Sequence, residues 1–121
     1  MDKAQTLTNF WNSFGIPAYD ETTVPDDAVM PYITYSVASD SLGNVVNLSA
    51  SIWYYSKSWK DITLKKDEIS RYIGPGGKSI KLDGGYVWIC RGTPFAQRME
   101  DTNDSVRRIY LNIQAEFLTE N

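Results

Sequence analysis

The stretch SVRRIYLNIQAEFL, Ser105 to Leu118, decides how the rest of the chain is read. From Ile109 every second residue is apolar or small: Ile109, Leu111, Ile113, Ala115 and Phe117. The residues between them, Arg108, Tyr110, Asn112, Gln114 and Glu116, all tolerate water. A two-residue period of this kind is a strand with one buried face. At roughly 3.4 Å per residue the stretch would span nearly 50 Å, well beyond the usual five or six residues. A small domain with so long a strand behind a polar loop is expected to offer an edge or an extension to a neighbour. The residues therefore point to assembly rather than catalysis.

Working back toward the N-terminus, Arg91 to Asp104 reads as a long polar loop. Lys78–Leu82 and Tyr86–Cys90 flank Asp83-Gly84-Gly85, a tight-turn signal that predicts a hairpin. Before it, Trp59, Ile62, Ile69, Tyr72 and Ile73 form a helical stripe, with Lys60, Lys65, Lys66, Asp67 and Glu68 on the wet side. Ser58 is the expected N-cap, accepting from the Asp61 amide, and Gly74-Pro75 the stop. Tyr32–Ser39 and Val45–Ser56 predict a first hairpin around the turn at Asp40–Asn44. The passage Ile16–Pro31, punctuated by Pro17, Pro25 and Pro31, is a loop or a sheet edge, because proline cannot donate to a ladder. Asp2 to Phe14 reads as a first helix, with Ala4, Leu7, Phe10, Trp11 and Phe14 on its apolar side. The sum is one α+β domain over residues 1–121. Its antiparallel or mixed sheet has two main helices on one face, in the order α-β-β-α-β-β-β.

Composition limits the chemistry. The 121 residues contain no histidine and a single cysteine, Cys90. A His/Cys zinc site and the Ser-His-Asp or Cys-His nucleophile arrangements are therefore excluded within one chain. One cysteine forms no intrachain disulfide, which suits a reducing compartment. No apolar run approaches the roughly 18 residues needed to cross a bilayer, and the N-terminal stretch lacks the apolar core of a signal peptide. We expect no enzyme, no metal, no cofactor and no membrane partner.

Apparent motifs dissolve on inspection. Gly76-Gly77-Lys78-Ser79 has the end of a P-loop, but Tyr72 stands where its first glycine belongs, and the glycines follow a helix instead of a strand. Asp101-x-Asn103-x-Ser105 begins like a calcium loop, but Val106 and Asn112 occupy the required Gly and Glu positions. Trp53, Tyr54, Tyr55 and Trp59 would make a sugar platform, but no pair of acids is favoured for glycoside cleavage. Filling a core and a subunit contact is the simpler use of such aromatics.

Charge is unevenly placed. Residues 1–56 carry one base, Lys3, and six acids, Asp2, Asp20, Glu21, Asp26, Asp27 and Asp40, a balance of −5. Residues 57–121 carry eleven bases and nine acids, a balance of +2. Opposed patches on one subunit favour head-to-tail contacts, which close into rings when the rotation permits. Arg98, Arg107 and Arg108 gather around the polar loop. Their planar forks suit carboxylates next door, DNA phosphates or plain solvent.

The order of elements, together with Val87–Phe117, resembles the tail terminator proteins of long-tailed bacteriophages. In that stretch a strand is followed by RGTPFAQRMEDTNDS and a long amphipathic last strand. The early helix with FW, the PYITYSV strand and the SWKDITLKKDEISRYI helix fit the same pattern. The resemblance implies a structural protein of the virion tail or neck, assembled in the bacterial host cytoplasm. It further implies a homohexameric ring that caps the tail tube, stops addition of tube protein and presents a docking surface to the head–tail connector protein. DNA would pass through the ring without specific binding. Another head completion or neck connector protein shares much of this pattern, and a monomeric ligand-binding module is the more distant alternative. On this reading Arg98, Met99, Arg107 and Arg108 meet Asp20, Glu21, Asp26 and Asp27 of a neighbour. The Thr93–Asp104 loop and the exposed face of the last strand are then subunit or tube contacts, and reversing Arg107 and Arg108 is expected to spare the monomer.

Overall fold

A computed structural model describes residues 1–40 and 44–120. Helix α1 (Lys3–Trp11) starts at Asp2, whose carboxylate accepts the Gln5 amide at 2.8 Å while the Gln5 side chain accepts the Asp2 amide at 3.3 Å. This reciprocal pair satisfies two of the amides that a helix start leaves without partners. A 3₁₀ turn, Asn12–Phe14, tightens the end, and Gly15 closes it at φ 82°, a conformation open to glycine at little cost. Leu7, Phe10, Trp11 and Phe14 are buried as expected, whereas Ala4 is exposed.

Three strands follow: β1 (Ala18–Asp20), β2 (Tyr32–Tyr35) and β3 (Val45–Tyr55). β1 lies inside the proline-rich passage and pairs in parallel with β2, with the Pro17 carbonyl accepting from the Ile33 amide. The expected order thus gains one strand at the sheet edge, where prolines are tolerated. The turn residues 41–43, Gly43 among them, fall outside the described residues.

Helix α2 (Lys60–Ile73) begins one residue later than expected, with Trp59 as its N-cap. Ser58 Oγ accepts from the Lys60 amide at 3.1 Å and not from Asp61, so it shapes the approach to the helix without capping it. Ile62, Ile69 and Ile73 are buried, each stabilising by about 1.5–3 kcal/mol relative to exposure. Lys65, expected in water, instead donates to the Phe14 carbonyl at 2.6 Å and fastens α2 to the end of α1.

The chain ends in β4 (Lys78–Leu82), β5 (Gly85–Met99) and β6 (Val106–Thr119). The six strands stand in the order β1-β2-β3-β6-β5-β4, antiparallel except for β1–β2. Both helices pack on one face: Trp11 stacks on Tyr35 at 6.4 Å, Lys3 lies over the Phe117 ring, and α2 covers β3, β6 and β5. The fold class is α+β.

Two expectations are corrected here. Arg91–Met99 is not loop: β5 continues to Met99, and only residues 100–105 join it to β6. The alternation hides because the register slips between Arg91 and Ala96, where Gly92 and Pro94 interrupt the pairing. At Gly92 a Cβ would sit 2.9 Å from Asn112, so the close approach of the two strands there needs glycine. Nor does the long last strand offer an edge. β6 pairs with β3 from Val106 to Glu116 and with β5 along most of its length, so its backbone groups are taken on both sides. The edges are β1 and β4.

Candidate functional site

Strand geometry sends neighbouring side chains to opposite faces of a sheet. On the helix side of β6, Ile109, Leu111, Ile113, Ala115 and Phe117 are at most 2% exposed. The other face has no layer over it. It carries Arg108, Tyr110, Asn112, Gln114, Glu116 and Leu118 from β6, flanked by Trp53, Ser51, Ser49, Asn47 and Val45 of β3. From β5 it carries Tyr86, Trp88 and Cys90 before the slip, and Gln97 and Met99 after it. The centre of this open face is small and polar. Its two ends are apolar or aromatic.

One end is built around Arg108. Its Nε donates to Ser51 Oγ at 3.0 Å, and its guanidinium lies 4.7 Å from the Trp53 ring centre and 5.9 Å from that of Tyr110. Trp53 Nε1 in turn donates to Thr34 Oγ1 at 3.0 Å. A row of rings runs outward from Trp53 to Tyr32 (6.4 Å) and on to Tyr19 (5.8 Å) at the sheet edge. The arginine is held at its Nε, while its terminal nitrogens have no partner among the described residues. Arginine, tryptophan and tyrosine are the residues most enriched where protein interfaces draw their binding energy.

Arg107, the next residue, points to the helix side and does different work. It donates to the backbone carbonyls of Asp104 (2.9 Å), Val106 (3.2 Å) and Lys57 (2.7 Å), tying the 100–105 loop to the turn before α2. Its guanidinium and that of Arg98 lie 5.3 and 4.6 Å from the Trp59 ring centre. The Arg98 guanidinium makes no hydrogen bond or ion pair among the described residues. The three arginines of the expected cluster are therefore split by the sheet, with Arg98 and Arg107 on one side, Arg108 and Met99 on the other. Arg107 serves as a structural tie, and its reversal would disturb the loop it fastens. Arg98 and Arg108 keep donors to offer.

The acids gather at the opposite edge. Asp20 ends β1, and Glu21, Asp26 and Asp27 follow on the exposed passage. Asp20 accepts from the Thr22 amide at 2.9 Å and the Thr22 hydroxyl at 2.8 Å, which hold its carboxyl below its ordinary pKa. None of the four is ion-paired with Arg98, Arg107 or Arg108 among the described residues, where the ion pairs include Met1–Asp83, Lys65–Glu68 and Lys66–Asp67. Register explains why. Asp20 is level with Tyr35, Ala50 and Leu111, so it lies three strands across and four residues along from Arg107. That is a separation of about 20 Å.

Hollows are shallow, and two lie beside these groups: one of about 180 Å³ against Arg98 and Gln97, another of about 260 Å³ against Val45, Trp88 and Glu116. Another, about 590 Å³, opens beside the start of α1 and the β4–β5 turn, with Asp2, Asp83 and Glu120 on its wall. Among the described residues no group of three or more Cys, Asp or Glu side chains is placed to hold a metal ion. No helix among them is long and apolar enough to cross a membrane. Tyr54, beneath α2 and opposite Arg107, has its hydroxyl pKa raised, first by burial and then by the charges of Asp61 and Glu68.

The sequence reading missed the aromatic row Tyr19–Tyr32–Trp53. It also missed the assignment of Arg107 and Arg108 to opposite faces, although the alternation of Arg108 with Ile109 carried that signal. No protein-family model matches the sequence, and no curated protein matches it.

Proposed function

We infer that this chain is a structural subunit of the tail terminator type, forming a ring that caps the tail tube of a long-tailed bacteriophage. Such a ring ends tube growth and gives the head–tail connector a surface to dock on. DNA passes through it without specific binding. One observation carries the reading. Arg98 and Arg108 keep unpartnered guanidinium donors, while Asp20, Glu21, Asp26 and Asp27 keep carboxylates without arginine partners among the described residues. Asp20, held on the sheet about 20 Å from these arginines, meets them only between copies. A head-to-tail contact of this kind closes into a ring when the rotation permits.

The mechanism is templated binding with no bond chemistry. Arg98, steadied on Trp59, takes the acidic passage of the next subunit. The open sheet face with Met99 and Arg108 is left for the tube or for another ring. Arg107 holds the loop beneath them. Electron microscopy of particles produced without this chain tests the reading: overlong tails without heads are expected. Tails of normal length carrying heads would refute it, and filled heads without tails would favour a neck connector instead.

A further inference from the structure

We propose that the open sheet face is self-complementary and seats a second copy of this chain in a two-fold, face-to-face pair. This does not depend on the ring reading. Strand register sets the match. Asn112 of β6 lies level with Ser49 of β3, midway between two rows of side chains four residues away on either side. One row holds Trp53, Arg108 and Met99; the other holds Val45, Glu116 and Trp88. A two-fold axis lying in the interface, across the strands at Asn112, superposes each row of one copy on the opposite row of the other.

Three strands then match at once. Arg108 faces the second copy's Glu116, Trp53 faces its Val45, and Met99 faces its Trp88, and each contact occurs twice. Like charges nowhere meet. Arg108 has free terminal nitrogens, and the Glu116 carboxylate has no hydrogen bond or ion pair among the described residues. A hollow of about 260 Å³ bounded by Val45, Trp88, Cys90, Gln114 and Glu116 lies where Arg108 and Met99 would enter. Arginine and glutamate are both long enough to absorb the roughly 30° crossing of stacked sheets. The three strands that run through both rows, β3, β6 and β5, cover about 390 Å² per copy over eight residues, about half the roughly 800 Å² of an ordinary specific interface, so the pair is a reversible, concentration-dependent one. Six of the large apolar side chains left exposed lie on this face: Val45, Tyr55, Tyr86, Trp88, Met99 and Leu118.

Sedimentation velocity on the full chain tests the pairing through a charge swap. Arg108→Glu alone and Glu116→Arg alone should each weaken it by at least about tenfold, since like charges then face each other twice. The double variant R108E/E116R should restore it, a result that misfolding does not mimic. Single variants that pair like the parent, or a double variant that stays as weak as the singles, would overturn the proposal. A second arm uses Cys90. The same axis sets Gln97 against the second copy's Cys90 across the roughly 10 Å between stacked sheets, whereas within one chain four residues of strand hold them about 14 Å apart. A short bis-maleimide cross-linker spanning about 10 Å should join Gln97→Cys chains into a covalent dimer that disappears when Cys90→Ser is added. No dimer, or one that survives Cys90→Ser, would also overturn it.

Discussion

The two faces of one strand obey different rules. On the helix side, β6 presents Ile109, Leu111, Ile113, Ala115 and Phe117, all packed out of water beneath α1 and α2. On the other side it presents Arg108, Tyr110, Asn112, Gln114 and Glu116, with no helix over them and contacts only to neighbouring strands, such as Arg108 with Ser51 and Asn112 with the Pro94 carbonyl. The first set can be read as stability alone. The second spends two charges and two amides on a surface that contributes little to folding. That difference argues for assembly, because a sheet needing only solubility has no use for an arginine steadied between a tryptophan and a tyrosine.

The sharpest way to break this comparison is to truncate neighbouring residues. Phe117→Ala should cost about 3–5 kcal/mol in urea denaturation, the range for emptying a large buried aromatic site. Glu116→Ala should stay within about 0.5 kcal/mol. Comparable losses would mean that the open face is covered in the free chain. A smaller contrast is expected one turn of the alternation away. Arg107→Ala removes three hydrogen bonds to backbone carbonyls and should cost about 1–3 kcal/mol. Arg108→Ala loses one hydroxyl contact and its ring stacking, about 0.5–1 kcal/mol. The reverse order would return Arg107 to the interface and make Arg108 the tie.

The smallest effect is one of pH and belongs to the covered side. Tyr54 is held protonated by burial and by the nearby acids, so its folded pKa lies above its ordinary 10.0. The stability linked to it is therefore complete below about pH 10 and is lost as pH rises through the higher folded value. Thermal melts between pH 9 and 11 should fall less steeply for Tyr54→Phe than for the parent chain. Equal slopes would remove Tyr54 from the alkaline response.

Much of this architecture was legible in the residues. Period-two alternation gave β6, and the Asp-Gly-Gly turn gave the β4–β5 hairpin. Both helices came from their apolar spacing. What escaped has physical causes. β1 is three residues long within a run of prolines and owes its existence to pairing with β2, which no local pattern encodes. The second half of β5 was hidden by the register slip at Gly92 and Pro94, which shifts the alternation out of phase. The unpaired charges were visible as types of residue. That Arg98 rests on Trp59 while Arg107 is consumed by carbonyls depends on strands meeting across the fold.

The central claim is that charges left without partners in one copy find them in the next, and a mass measurement tests it most directly. Light scattering at high concentration and low salt should report assemblies in multiples of six chains of 13.7 kDa. Salt should dissolve them, as should either Arg98→Glu or the double change D26K/D27K. Joining both sets of changes in one chain should bring them back. A mass unchanged by salt and by each reversal would contradict the account.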